Sequence, residues 1–307
     1  MIRRLVCTVA LTGLCVAGLA ATAAAQLEPN LGALTEENAK GYLGPLTGAL
    51  STTMNSAVFH SGYVPKTGLN FEIGAHVMGM TFDDEDRLYV PANPPGYEDI
   101  DDVDAPTVIG DTKSVTVVGN AQQEITYPGG FDIENFTVAA PQLMIGSVAG
   151  TRAVVRWVSF DLGDTDLGKF SLWGVGAQHS ITQYFQNAPV DVAVGFLYQQ
   201  FKIGDDDLLD ANMFHVNVTG SKRFGVLEPY VGLGLDSFSL KTKYDTDSSP
   251  DEEDLFEVEF DNETNEHITL GVRASLAFVM AHAEFNMAAE TGVAVGLSFG
   301  TSGGQAQ

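Results

Sequence analysis

Gly292-Val293-Ala294-Val295-Gly296-Leu297-Ser298-Phe299-Gly300 is the stretch that decides the fold. In an extended chain, successive side chains point to opposite faces. Val293, Val295, Leu297 and Phe299 therefore share one face, and Gly292, Ala294, Gly296 and Ser298 share the other. A strand of a soluble sandwich can carry this pattern. Here, however, small and apolar residues alternate along most of the second half of the chain. Apolar side chains toward lipid, with small or polar ones toward a lumen, is the pattern of a transmembrane β-barrel. Only helices and closed barrels satisfy the backbone in lipid.

The N-terminus agrees with export. Met1 to Ala25 reads as a secretory signal peptide: Arg3 and Arg4, an apolar run from Leu5 to Leu19, then Ala23-Ala24-Ala25 before Gln26. Both cysteines, Cys7 and Cys15, lie inside it, so the mature chain has no thiol for disulfides, thiolate metal sites or nucleophilic catalysis. No later segment has the roughly 18 apolar residues of a membrane helix. The net charge of −25 becomes about −27 once Arg3 and Arg4 are removed. Such an acidic chain is no nucleic-acid binder, which needs basic patches against phosphate.

Gln26 to Lys66 precedes the strand pattern. Thr35-Glu36-Glu37-Asn38 predicts a helix start. A second short helix is expected after Tyr42-Leu43-Gly44-Pro45-Leu46, ending near Asn55. This segment reads as a periplasmic extension, a linker or, the favoured reading, a short plug or lid for a barrel spanning residues 67–300, with 301–307 as a tail. Strands are expected at Leu69–Asp83, Phe136–Ser147, Thr151–Asp161, Leu167–His179, Val190–Phe201, Ala211–Ser221, Leu227–Leu240, Glu266–Leu276, Val279–Asn286 and Thr291–Phe299, with a less regular run at Thr107–Val118. Bacterial barrels favour even strand numbers, so the expectation is about twelve, within a range of ten to fourteen. Some connections are tight, as at Val148–Gly150, Gln186–Pro189 and Ala288–Glu290. Others are long and acidic: Asp83–Ala105, Gly204–Asp210 and Tyr244–Glu266. Short turns at one end and long outer loops at the other fit an outer-membrane barrel.

At Tyr42-Leu43-Gly44-Pro45, Gly174-Val175-Gly176-Ala177-Gln178-His179-Ser180-Ile181 and Glu228-Pro229-Tyr230-Val231-Gly232-Leu233-Gly234, the chain resembles a family of bacterial outer-membrane proteins of unknown function. That family is similar in layout to the long-chain fatty-acid transporter barrels: an N-terminal helical segment, then an even-stranded barrel. The resemblance covers most of the mature chain. It implies the outer membrane of a Gram-negative bacterium, and passive passage or binding of small hydrophobic molecules. It supplies no substrate. The competing expectations are a structural or adhesin-like surface barrel with acidic extracellular loops, and a soluble periplasmic β-protein.

On the strand register, Glu72, Asp191, Glu228, Asp236, Arg273 and Glu284 share faces with small or polar residues, and Arg152 and Arg156 share a face with each other. These are the candidate lumen residues, either a selectivity ring or ligand contacts, or ion pairs that fill the lumen. The acidic run Asp245–Asp261 invites a calcium reading. Pro250 stands where an EF-hand needs glycine and Phe256 where it needs glutamate, so only loose divalent binding is expected there. His60, His76, His179, His215, His267 and His282 form no His-x-x-x-His pair, and spacing offers no metal site. No Gly-x-Ser-x-Gly elbow is present, and neither enzyme activity nor a cofactor is expected. Tyr63, Tyr89, Tyr184, Phe185, Tyr198, Phe201, Phe238, Tyr244, Phe285 and Phe299 lie near expected strand ends, as girdle aromatics do.

Overall fold

The computed structural model describes residues 27–93, 103–119, 124–161, 169–204, 208–244 and 256–301. The expected signal peptide, residues 245–255 of the acidic loop and the tail from 302 lie outside the described residues. Two helices come first, α1 (Leu27–Gly32) and α2 (Glu36–Asn55). Strands then follow in order: β1 (Asn70–Thr81), β2 (Leu88–Tyr89), β3 (Ala105–Pro106), β4 (Val115–Val118), β5 (Glu124–Tyr127), β6 (Asn135–Val148), β7 (Thr151–Asp161), β8 (Lys169–Ser180), β9 (Asp191–Ile203), β10 (Leu209–Ser221), β11 (Leu227–Tyr244), β12 (Phe256–Leu276), β13 (Val279–Met287) and β14 (Thr291–Gly300).

Ten of these strands form one closed antiparallel barrel. β6 to β14 pair with their sequence neighbours, and β1 closes the ring by pairing with both β14 and β6. The strand number is ten, at the lower end of the expected range of ten to fourteen rather than at the favoured twelve. The surplus expected strand is Thr107–Val118. Only Val115–Val118 is extended there, and it pairs with β5 in a separate two-stranded sheet within the excursion between β1 and β6. A four-residue apolar run suits a small hairpin as well as a wall strand, and length alone does not separate them.

The long connection before β12 is shorter than expected. β12 begins at Phe256, not Glu266, and its first half pairs with the end of β11. Val258 is buried, and Lys241 on β11 meets Glu259 at 3.1 Å. These pairings turn part of the acidic run into sheet. The short connections (149–150, 181–190, 222–226 and 277–278) cluster at one end of the barrel. The excursion 82–134 leaves the barrel at the other, the long-loop end, where β7, β9 and β11 finish and β8, β10 and β12 begin. The tight turn at 288–290 also lies at this long-loop end.

The wall sorts its residues by the period of two. Phe71, Ile73, Val77, Val175, Phe196, Val216, Leu233, Leu270, Val295 and Leu297, from strands around the whole ring, are exposed on its outside. The inside is zoned. Toward the long-loop end it is apolar: Met78, Met80, Phe201, Leu209, Met213, Phe238 and Leu240 pack with Leu43, Leu50 and Met54 of α2. Toward the short-turn end it is polar. Phe201 and Phe238 are therefore core residues, not girdle aromatics. Tyr184, Phe185, Phe285 and Phe299 are exposed.

α2 is one continuous helix through Pro45, not two. Proline removes a backbone donor and strains the preceding turn. Buried Tyr42 and Leu43 on one side, and Ala49 and Leu50 on the other, hold the helix through it. Thr35 caps it, accepting from Asn38 N, with Glu36 and Glu37 in the first turn. Its first half docks on the 82–134 excursion: Val108 N donates to Tyr42 O at 2.8 Å, and Tyr42 Oη donates to Gly129 O at 3.0 Å. Burial pushes the Tyr42 phenol up to about 12, against the opposing effect of its hydrogen bond with Asn30. No helix among the described residues is long and apolar enough to cross a membrane.

Candidate functional site

The second half of α2 enters the barrel, and the chain then runs extended through the lumen. It leaves beside the short turns, where Gly150 N donates to Lys66 O at 2.8 Å. Residues 49–62 are buried throughout. The wall grips this plug from many sides. Arg156 on β7, fully buried, lies across the end of α2. Its Nη1 donates to Met54 O at 2.7 Å, and its Nη2 donates to Ser56 O at 2.8 Å and Ala57 O at 2.5 Å. Its Nε donates to Gln142 Oε1 at 2.7 Å. A cation is at its most favourable at a helix C-terminus, where carbonyls have no partner within the helix.

Glutamines extend the grip. Gln142 on β6 donates to Val58 O at 3.1 Å, Gln178 on β8 to Ser61 O at 3.0 Å, and Gln199 on β9 to Met54 O at 2.8 Å. Carboxylates take the plug's donors. Glu284 on β13 accepts from Ala57 N at 2.5 Å, and Glu228 on β11 accepts from Ser61 Oγ at 2.5 Å. Gly62 N donates to Ser221 Oγ at 2.9 Å on β10.

The remaining inward polar groups pair with one another. Glu72 accepts from Arg273 Nη2 at 2.8 Å and Ser298 Oγ at 2.6 Å. Arg152 donates twice to Gln178 Oε1, at 2.9 and 2.6 Å. Glu228 also accepts from Arg223 Nη2 at 2.9 Å, and Glu284 from Tyr230 Oη at 2.7 Å. Asp236 lies between two imidazoles, 2.6 Å from His215 Nδ1 and 2.6 Å from His267 Nδ1. His267 Nε2 is 3.0 Å from Asn286 Oδ1. Buried charges persist only when paired and hydrogen-bonded, and this end of the lumen provides both.

The structure thus places Glu72, Arg152, Arg156, Glu228, Asp236, Arg273 and Glu284 on the inside of the wall, buried. They form no ring around an open channel. Arg156, Glu228 and Glu284 hold the plug, and Glu72, Arg273, Arg152 and Asp236 cross-link wall strands. Asp191 is half-buried at the start of β9. The glutamines that complete the grip went unnoticed in the sequence, although the same parity that picks out Arg156 also selects Gln142, Gln178 and Gln199. The histidines were weighed in the sequence and set aside, because their spacing offers no metal site. His60, His76 and His282 converge, as do His215 and His267 around Asp236, through strand pairing and the plug rather than through short sequence spacing.

The site and the fold define a class: a closed ten-stranded barrel whose lumen is filled by its own N-terminal segment. The chain belongs to a family of unknown function, DUF6588, which matches residues 2–301. No curated protein matches it. Among solved structures, it is similar to the outer-membrane protease OmpT from Escherichia coli at 7% identity, over 78% of this chain and 98% of that one, with a TM-score of 0.34. It is similar to the β domain of the Bordetella autotransporter BrkA at 12% identity, over 76% and 99%, with a TM-score of 0.31. A de novo designed transmembrane β-barrel matches at 18% identity, over 50% and 96%, with a TM-score of 0.26. The barrel assignment rests on the strand topology itself.

Proposed function

We propose that this protein is an integral outer-membrane barrel that is sealed by its own chain and acts at its long-loop surface. The observation that carries the reading is the distribution of polarity across the wall. Apolar side chains are exposed around the outside, and charged ones are paired within. Soluble monomers rarely expose a contiguous apolar patch larger than a few hundred Å². A belt around a whole barrel needs lipid as its partner.

The plug favours one of the two functional classes. Passage of small hydrophobic molecules, which the transporter-like layout implies, has no route through the lumen while residues 49–62 occupy it. The reading retained is the surface barrel, with its acidic loops and the docked α1–α2 cap at the outer end. Divalent cations are the natural partners of those loops. The reading includes no catalysis. Asp236 has both oxygens engaged by His215 and His267, and the second nitrogen of His267 faces Asn286.

The test uses the intact protein. It should fractionate with outer membranes, shift its gel mobility on heating, and show near-zero steady conductance in planar bilayers. Recovery in the periplasmic fraction without detergent would refute the membrane reading. Large constant conductance would refute the seal.

A further inference from the structure

His60 comes from the plug, His76 from β1 and His282 from β13. Their rings converge, with centroids 4.4 Å apart for His60 and His282, 5.0 Å for His76 and His282, and 5.4 Å for His60 and His76. One nitrogen from each ring lies within 4.8 Å of the other two. The residues are 1%, 1% and 6% exposed. His60 Nδ1 and Nε2, His76 Nδ1 and His282 Nε2 have no hydrogen-bond partner. Leaving a buried polar atom unpaired carries its full desolvation cost, so a group of them calls for a ligand.

The wall makes room for these rings. Gly296 on β14 pairs with His76 on one side and His282 on the other. A methyl group on Gly296 would run into His282 Cε1 and His76 Nδ1. The absent side chain leaves the space in which the two imidazoles face each other, and His60 closes the third side.

We propose that His60, His76 and His282 bind one divalent transition-metal ion of the zinc class. Imidazole nitrogen is a preferred ligand for such ions, and three histidines with one further position is an established zinc shell. Zinc–nitrogen bonds of about 2.0–2.1 Å in a tetrahedral shell set nitrogens about 3.4 Å apart, so nitrogens that now lie within 4.8 Å of one another close by up to about 1.4 Å. Glu72, with Oε1 3.8 Å from His60 Nε2, supplies a negative charge beside the site and already offsets Arg273. The grouping of His215, Asp236 and His267 differs in kind, because its carboxylate is already taken by both imidazoles. A metal at the three-histidine site would tie the plug to β1 and β13, the two strands that flank β14.

The experiment takes the folded full-length protein in detergent, strips it with a chelator and titrates it with Zn2+ by calorimetry and with Co2+ by visible absorption. One equivalent is expected, with the intense bands of tetrahedral cobalt. His60→Gln and His282→Gln should each weaken binding at least about 100-fold. Lys222→Ala, on the exposed connection between β10 and β11, should leave it unchanged. Heat-modifiable mobility reports whether each variant folds. Wild-type protein that gives only octahedral cobalt absorption, or takes up no stoichiometric metal, would overturn the proposal without recourse to any variant. Equal affinity in folded wild type and His60→Gln would overturn it as well.

Discussion

Arg156 Nη1 donates to the carbonyl of Met54 at 2.7 Å, joining the middle of β7 to the last turn of α2. The same guanidinium reaches Ser56 O and Ala57 O, so one side chain satisfies three plug carbonyls. Arg156→Met keeps the bulk and removes every donor. It should destabilise the folded barrel by about 3–5 kcal/mol. Arg156→Lys keeps the charge but cannot reproduce the planar fork, and should fall between the two. Urea unfolding in detergent, read by the heat-modifiable band, checks the order. Equal stability of all three proteins would mean that the plug is held elsewhere.

Phe196 and Gly195 are neighbours on β9 that face opposite ways. Phe196 is exposed on the outer belt, and Gly195 faces Phe59 of the plug. Phe196→Arg places a charge in lipid and should cost about 2–4 kcal/mol if read near the bilayer midplane. Gly195→Val should fail for a different reason: its Cβ would sit 2.5 Å from Phe59 Cε2. Such overpacking costs about 1–3 kcal/mol and should loosen the plug. Limited proteolysis distinguishes the two. Cleavage within residues 56–66 should rise in Gly195→Val and not in Phe196→Arg.

Glu290 supplies a pH test outside the wall. It sits in the turn between β13 and β14, where its backbone N donates to Thr52 Oγ1 at 2.9 Å. Burial first, then the charges of Asp86 and Asp83, raise its carboxyl above the ordinary value of 4.5. The folded state therefore holds this proton at a pH where the unfolded chain has lost it. Stability should fall as pH rises from about 4.5 through the raised value. Glu290→Gln should remove that loss and be the more stable protein at neutral pH. Denaturation midpoints of both proteins across pH 4 to 8 check the sign, which is wrong if the variant loses ground as pH rises.

The wall was legible because alternation is a local property. Val293, Val295, Leu297 and Phe299 declare their face without knowledge of any neighbour. The register also carried the charged residues inside, since parity does not depend on what fills the lumen. Phe201 and Phe238 show where this ends. Their parity matches the lumen, but an apolar lumen makes sense only once α2 is known to occupy it. The histidines lie further from reach. His60 and His282 are more than 200 residues apart, and they meet through two separate events: closure of the wall on β14, and entry of the plug. Val115–Val118 misled for the opposite reason, since it is a real strand with its partner outside the barrel.

The pairing of β1 with β14 joins the first strand of the wall to the last. A hoop whose first and last staves are each other's neighbours stays open until the final stave arrives. The plug belongs to the same chain and precedes the first stave. Residues 49–62 would have to shed water and make their bonds to Arg156, Glu228 and Glu284 inside a sealed tube if they arrived late. If they are in place early, the staves gather around them as around a mandrel. Biogenesis of this protein is then a wrapping problem, in which the segment that blocks the finished barrel is also the form on which it is built.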